Sequence, residues 1–268
     1  MREKTVLITG STDGIGKQTA LDLAALGYNI IVHGRNETRV NKTLDELGRI
    51  NGKLKLDGFV CDLSSLANVR NLATELKSKY DRIDILINNA GVYMKKRQLS
   101  VDGFEITFAV NHLSHFLLTN LLLDLIKKSY DGRIINVSSV AHLNASLEFD
   151  NLNGEKYFDA YSAYALSKFA NVLFTKELAS LLNGSRTKTN SLHPGVISTK
   201  LLMEGFNITG DSLKNGAKTS VYLASSENVR NISGEYFVDC GISRSHSLSS
   251  NKNLCRDFWN ISSDMVGL

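Results

Sequence analysis

The chain has 268 residues, enough for one large α/β domain or two small ones with a full core. Its 43% hydrophobic and 22% charged content is that of an ordinary globular protein, not of a disordered or fibrous one. A formal net charge of +4, spread along the sequence, argues against nucleic acid or a membrane surface as the partner.

The opening residues MREKTVLITG pass from charges straight into a strand-like run. No secretory leader is read there, and the cytoplasm is the expected location. Cys61, Cys240 and Cys255 are scattered, with neither a disulfide framework nor metal-ligand spacing. Pro194 is the only proline, so no proline-rich linker divides the chain. Residues 1–268 read as a single domain, with no internal repeat.

The first strand, Thr5–Thr9, runs into Thr9-Gly10-Ser11-Thr12-Asp13-Gly14-Ile15-Gly16, and a helix over 15–26 follows. Glycines here permit a tight turn and close backbone approach to a pyrophosphate, and a helix N-terminus offers free N–H groups. Gly10, Ser11, Asp13, Gly14, Ile15 and Gly16 are therefore cofactor candidates, although a plain strand-to-helix turn has similar composition. The second strand, Asn29–His33, ends in Gly34-Arg35-Asn36 before a helix over 37–49. A carboxylate in this place selects NAD by holding the ribose 2′-hydroxyl. Arg35 instead suits a 2′-phosphate, which favours NADP(H). The competing reading is a solvated Arg35 with Asn36 capping the helix. Asp13, being acidic, weighs mildly against a nearby phosphate.

Further strands are expected at Leu54–Cys61, Ile83–Asn88, Arg133–Ser138, Thr187–His193 and Glu235–Asp239, with helices over 65–79, 103–129, 161–182 and 211–225. The apolar run from Phe116 to Ile126 contains Thr119, Asn120 and Asp124 and reads as a buried helix, so no integral membrane segment is expected. Alternating βα units with strands apolar throughout predict an α/β, Rossmann-type doubly wound parallel sheet of about seven strands, helices on both faces. Ligands in such sheets sit beyond the carboxyl ends of the strands.

On the helix over 161–182, Tyr164 and Lys168 are one turn apart on one face. Tyr161 lies two turns from Lys168 and cannot touch it directly. The order TGSTDGIG, NNAG at Asn88–Gly91, Tyr164-x-x-x-Lys168 and Pro194-Gly195 resembles the short-chain dehydrogenase/reductase family over nearly the whole chain. Longer strings such as DGFEITFAVNHLSHFLLTNLLLDL, RIINVSSVAH and LHPGVISTKL resemble its retinol dehydrogenase-related branch.

The resemblance implies a catalytic set of Asn111, Ser139, Tyr164 and Lys168. It also implies cofactor contacts from Asp62, Leu63, Asn89, Ala90 and Gly91, from Pro194, Gly195, Val196, Ile197 and Thr199, and from Tyr164 and Lys168. The substrate implied is a small apolar aldehyde, ketone or alcohol, handled by an NADP-dependent oxidoreductase. Assembly as a homodimer or homotetramer through the helices over 103–129 and 161–182 would follow the family pattern. Two rivals are a steroid or quinone reductase of the same family and a non-catalytic NADP(H) sensor.

A free tyrosine has a pKa of about 10. An ammonium one helical turn away favours the phenolate, so Lys168 is expected to lower the pKa of Tyr164. Ser139 is expected to hydrogen-bond the substrate oxygen, and Asn111 to hold a water beside Lys168. His112 and His115 lack a third ligand of suitable spacing, so no metal is expected. His142 reads as a pocket-lining residue, Tyr157 and Tyr161 as pocket or packing residues, and Lys95-Lys96-Arg97 as a solvated loop. Residues 199–212 and 242–268 are expected to cover the pocket or to form a subunit contact; packing against the core is the plainer reading of the tail.

Overall fold

The computed structural model describes residues 4–268. Seven strands lie parallel: β1 (Thr5–Ile8), β2 (Asn29–Gly34), β3 (Leu56–Val60), β4 (Ile85–Asn88), β5 (Arg133–Val137), β6 (Lys188–His193) and β7 (Tyr236–Val238). An eighth, β8 (Gly241–Ser243), pairs antiparallel with β7 and closes the order β3-β2-β1-β4-β5-β6-β7-β8. The prediction of about seven strands missed β8 because it is three residues long and exposed, without an alternating face. Its turn is made by Asp239 and Cys240, both at positive φ (46° and 63°), where glycine or asparagine would be the readable signal.

Strand order reverses direction between β1 and β4, and the register aligns Ile8 with Val32 and Ile87, and Asn88 with Asn136. The carboxyl ends of these strands therefore open on one side, the side on which doubly wound sheets bind ligands.

Helices cover both faces. Against one lie α1 (Gly14–Ala25) and α2 (Glu37–Ile50), packed over a core that includes Val6, Ile8, Leu23, Ile30 and Ile85. Against the other lie α3 (Leu66–Lys79), α4 (Ile106–Phe108), α5 (Ser114–Lys127) and α6 (Ala160–Leu181), over Leu7, Leu86, Phe116, Phe169 and Phe174. Helices α4 and α5 are joined by a π-type turn, Ala109–Leu113, into one 22-residue helix, Ile106–Lys127. That helix is long and apolar enough to cross a bilayer, but 78% of its apolar window is buried inside the protein.

Three further helices follow: α7 (Lys200–Phe206), α8 (Leu213–Ser225) and α9 (Lys252–Val266). Helix α8 packs on α1; α9 packs on α6, with Phe258 and Cys255 buried and Trp259 against the rings of Phe116 and Phe174. Of the two segments expected to cover the pocket, 199–212 reaches its wall. Among the described residues, none from 242–268 lines it. Core packing accounts for the tail's apolar spacing, because its large side chains meet α5 and α6 rather than the carboxyl edge of the sheet.

Candidate active site

A cleft of about 830 Å³ runs along the carboxyl ends of β1, β2, β4, β5 and β6. Its floor at one end is the glycine loop. Gly10 sits at φ 64°, and a Cβ there would lie 2.9 Å from Ala90 Cα. A Cβ at Gly16 would collide with the Asn89 side chain and the Gly10 carbonyl. The loop is thus a cradle that only glycine leaves open. Asn89 braces it by donating from Nδ2 to Thr9 O at 2.9 Å, while Thr9 Oγ1 accepts from the N–H groups of Asn89 and Ala90. The cradle fits a dinucleotide pyrophosphate: backbone N–H groups at the start of α1, no side chain in the way, and basic groups nearby.

Asp13 caps α1, accepting from Gly14 N at 2.9 Å. Its other carboxylate oxygen accepts from Lys200 Nζ of α7 at 2.8 Å. The Lys200 hydrogen bond holds the Asp13 pKa below its ordinary value. That pairing neutralises the negative charge which weighed against a phosphate. Ser11, by contrast, is buried beneath the loop, donating to Ile8 O and accepting from His33 N at 3.0 Å. Its hydroxyl is absorbed by the fold and does not face the cleft, which corrects the expectation of a cofactor contact.

At the end of β2, Arg35 and Asn36 line the cleft, and Asn36 also caps α2 through Arg39 N at 3.0 Å. Both readings of Asn36 are therefore compatible. Arg39, one turn into α2, lines the same corner. Asp62, Leu63, Asn89, Ala90, Gly91, Pro194, Gly195, Val196, Ile197 and Thr199 also line the cleft, as does Ile15.

At the other end stand Ser139, Tyr164 and Lys168. Asp159 caps α6 by accepting from Ser162 N at 2.8 Å, fixing the turn on which Tyr164 and Lys168 share a face. Ser139 and Tyr164 both line the cleft, and the Ser139 hydroxyl pulls the phenol pKa down. Burial nevertheless drives the phenol pKa up to about 12, against the opposing pull of Ser139. Lys168 is 3% exposed, and burial alone lowers its pKa to about 8. Its Nζ donates to Val137 O at 3.1 Å and sits 5.6 Å from the centre of the Tyr164 ring. The expected lowering of the Tyr164 pKa by Lys168 is thus not found. The ammonium faces a carbonyl instead of the phenol oxygen, and removal from water dominates both groups.

Asn111 stands behind the cleft wall. Its Oδ1 accepts from Val92 N at 2.8 Å, and its Nδ2 donates to Val92 O and Ser167 Oγ, both at 3.0 Å. Its main-chain carbonyl, within the π-type turn, accepts from Asn171 Nδ2 and lies 3.1 Å from His115 Nδ1. The side chain is fully engaged in holding the segment after Gly91, so the water-holding role expected of it is not its visible one.

His142 is buried outside the cleft, against Ser139 O and the Tyr236 ring, which corrects its reading as a pocket residue. His112 contacts Asn171 Oδ1 and Ser262 Oγ, and His115 contacts Thr9 Oγ1, so both serve the hydrogen bonding of the core. Tyr161 lines the cleft mouth and accepts from Asn144 Nδ2 at 2.9 Å, whereas Tyr157 is exposed and bonded to Glu148. Lys95, Lys96 and Arg97 are exposed as expected.

Sequence reasoning missed Arg39, Lys200, His33 and His193. Arg39 lies three residues after the Asn36 cap, in the first turn of α2, the one local signal that was readable. The other three are brought to the cleft by strand pairing and by the return of α7, which local spacing does not encode. Beyond Tyr164 the wall is apolar, built by Val92, Met94, Ile106, Val110, Leu201 and Ile208, with Gln98 as a polar exception.

The family model for short chain dehydrogenase matches residues 4–209. Human retinol dehydrogenase 14 is 39% identical over 100% of this chain and 88% of its own. Among solved structures, an uncharacterised protein from Mycobacterium paratuberculosis superimposes with a TM-score of 0.82 at 29% identity, covering 98% of this chain and 93% of that one. A short chain dehydrogenase from Escherichia coli complexed with NADPH gives a TM-score of 0.73 at 25% identity, covering 90% and 98%. The chain belongs to the short-chain dehydrogenase family and is similar to its retinol dehydrogenases.

Proposed function

We propose that the protein is an NADP(H)-dependent oxidoreductase acting on apolar aldehydes or ketones and the corresponding alcohols. One observation carries this reading: Ser139, Tyr164 and Lys168 stand together where the glycine cradle's cleft meets an apolar wall. The nicotinamide, when bound, supplies or accepts the hydride. In reduction, Tyr164 gives its proton to the carbonyl oxygen as the carbon gains the hydride. A phenol held up at about 12 is protonated at neutral pH, as an acid must be before it acts. Ser139 donates to the same oxygen as negative charge grows there. Lys168 places a cation beside the developing phenolate and so reduces the cost of forming it. Arg35 and Arg39, at the end of β2, suit a 2′-phosphate. The apolar wall and the similarity to retinol dehydrogenases favour retinal-like, lipid-derived or xenobiotic carbonyls.

The test is NADPH oxidation against aldehydes, ketones and quinones, retinal included, with Tyr164→Phe beside the wild type. Turnover should fall by about 10²–10⁴-fold in the variant while NADPH binding persists. Undiminished turnover in Tyr164→Phe would remove the phenol as the acid and move attention to Tyr161. Tight NADPH binding without turnover on any carbonyl would favour a sensor.

A further inference from the structure

Ser139 sits in an extended conformation at the mouth of a short 3₁₀ turn, Val140–Asn144. Such turns are weakly held by their own hydrogen bonds. Ala141 and His142 are buried, but Val140 is 46% exposed, so its own packing does not fix the Ser139–Val140 peptide. The residue before is firmly anchored: Ser138 N donates to Leu192 O and Ser138 Oγ to Lys168 O, both at 2.7 Å. Ser139 Oγ accepts from Ala141 N at 3.2 Å and its carbonyl from His142 N at 3.1 Å, as the cap of the turn. What sets the direction of its Cα–Cβ bond is the next peptide plane.

That plane is gripped at both ends by imidazoles. The carbonyl of Ser139 lies 2.6 Å from His142 Nδ1. The N–H of the same peptide, on Val140, donates to His193 Nδ1 at 3.2 Å. His193 is the last residue of β6, and His142 comes from inside the turn. The two rings need opposite protonation at Nδ1. His142 accepts the His246 N–H at Nε2 (3.1 Å), so its Nδ1 carries the proton and donates to Ser139 O. His193 must be bare at Nδ1 to accept from Val140. The grip also reaches the tail, because the His246 ring packs 4.5 Å from Phe169, next to Lys168.

We propose that His142 and His193 are positioning residues for Ser139, pinning the Ser139–Val140 peptide plane so that the hydroxyl faces Tyr164. This rests on the reading of Ser139 as a substrate-contacting group. Fixing the plane fixes ψ of Ser139, hence the direction of its Cα–Cβ bond. A displacement of about 1 Å at a catalytic atom can cost about 10²-fold in rate.

Four variants separate this role from bulk stability. His193→Leu removes the acceptor, while His193→Asn returns an oxygen near the Nδ1 position. His142→Phe keeps a ring against Tyr236 and loses both polar links, while His142→Asn keeps a donor for Ser139 O and loses only the link to His246. Retinal reduction by NADPH should show kcat lowered about 10–100-fold in His193→Leu and His142→Phe, with NADPH affinity unchanged in His142→Phe, whose ring lies outside the cleft. Both Asn variants should recover most of kcat. In a Ser139→Ala background, the Leu and Phe changes should cost no further kcat.

Hydrogen exchange reads the grip without turnover. The Val140 amide should be protected in the wild type and in His193→Asn, and released in His193→Leu. Undiminished kcat in both disruptive variants, or an equal loss on top of Ser139→Ala, or an unprotected Val140 amide in the wild type, would overturn the proposal. Full kcat in Ser139→Ala alone would instead overturn the role of the serine, and the positioning role with it.

Discussion

Tyr164 and Lys168 show how burial reshapes a motif. The spacing places them on one helical face, and the fold then withdraws both from water. The cost falls on the lysine. Its folded pKa of about 8 lies below its ordinary value of 10.5. Between those values the unfolded chain holds a proton that the folded chain does not, so stability rises with pH through that window. Below pH 8 the buried ammonium costs roughly 3 kcal/mol, at about 1.4 kcal/mol per unit. Its bond to Val137 O returns about 1 kcal/mol. Lys168→Met is therefore expected to raise stability at pH 7 by about 2 kcal/mol in urea titrations while abolishing turnover. A less stable variant would show that the ammonium is better compensated than its partners indicate.

A second prediction concerns Arg35 and Arg39. Charge-assisted hydrogen bonds to a 2′-phosphate are worth about 1.5–3 kcal/mol, or about 10–100-fold in affinity. Replacing both by Ala should weaken NADPH binding by that factor and leave NADH binding unchanged, as fluorescence titration would read. Equal weakening of both cofactors would place the pair away from the 2′ position.

Among the elements, α9 decides more than its position at the chain end implies. Phe258 is buried against the rings of Phe108 and His112. Phe258→Ala should cost about 3–5 kcal/mol in unfolding free energy, because the cavity opens between packed helices that cannot collapse. Removal of residues 251–268 should expose apolar side chains of α5 and α6 and cost solubility, with substrate preference following only through stability. A soluble truncated protein of normal midpoint and altered preference would restore the lid. The helix over 106–127 carries a different lesson. Its π-type turn at Ala109–Leu113 puts Asn111 where its carbonyl meets Asn171 and His115, a detail no periodicity reveals.

Across the whole molecule, buried neutral histidines set an acid limit. Burial lowers His33 and His112 to about 4 and His115 to about 3. In the unfolded chain each titrates near 6.5. From pH 6.5 down to about 4, the unfolded state takes up protons that the folded state refuses, so stability falls as pH falls. The urea midpoint should drop steeply across that window, before the bulk of the carboxylates titrate. A flat midpoint between pH 6.5 and 5 would mean that these imidazoles accept protons in place.

The sequence by itself determined the α/β alternation, the glycine cradle, the arginine at the end of β2 and the Tyr164–Lys168 face. Each is a local pattern: apolar runs of strand length, glycines where a Cβ collides, residues one helical turn apart. Only the tertiary structure decided which polar groups face the cleft. Ser11 and Ser139 are both serines just after strands, yet the first is consumed by Ile8 O and His33 N while the second meets Tyr164. His142 follows Ser139 by three residues but turns inward to its carbonyl and to His246. Asp13 changes from an obstacle to a neutralised cap because Lys200 returns to it across the cleft. Hydrogen-bond partners and desolvation depend on residues far apart in the chain, and their identity is fixed only when the strands are in register and the helices are packed.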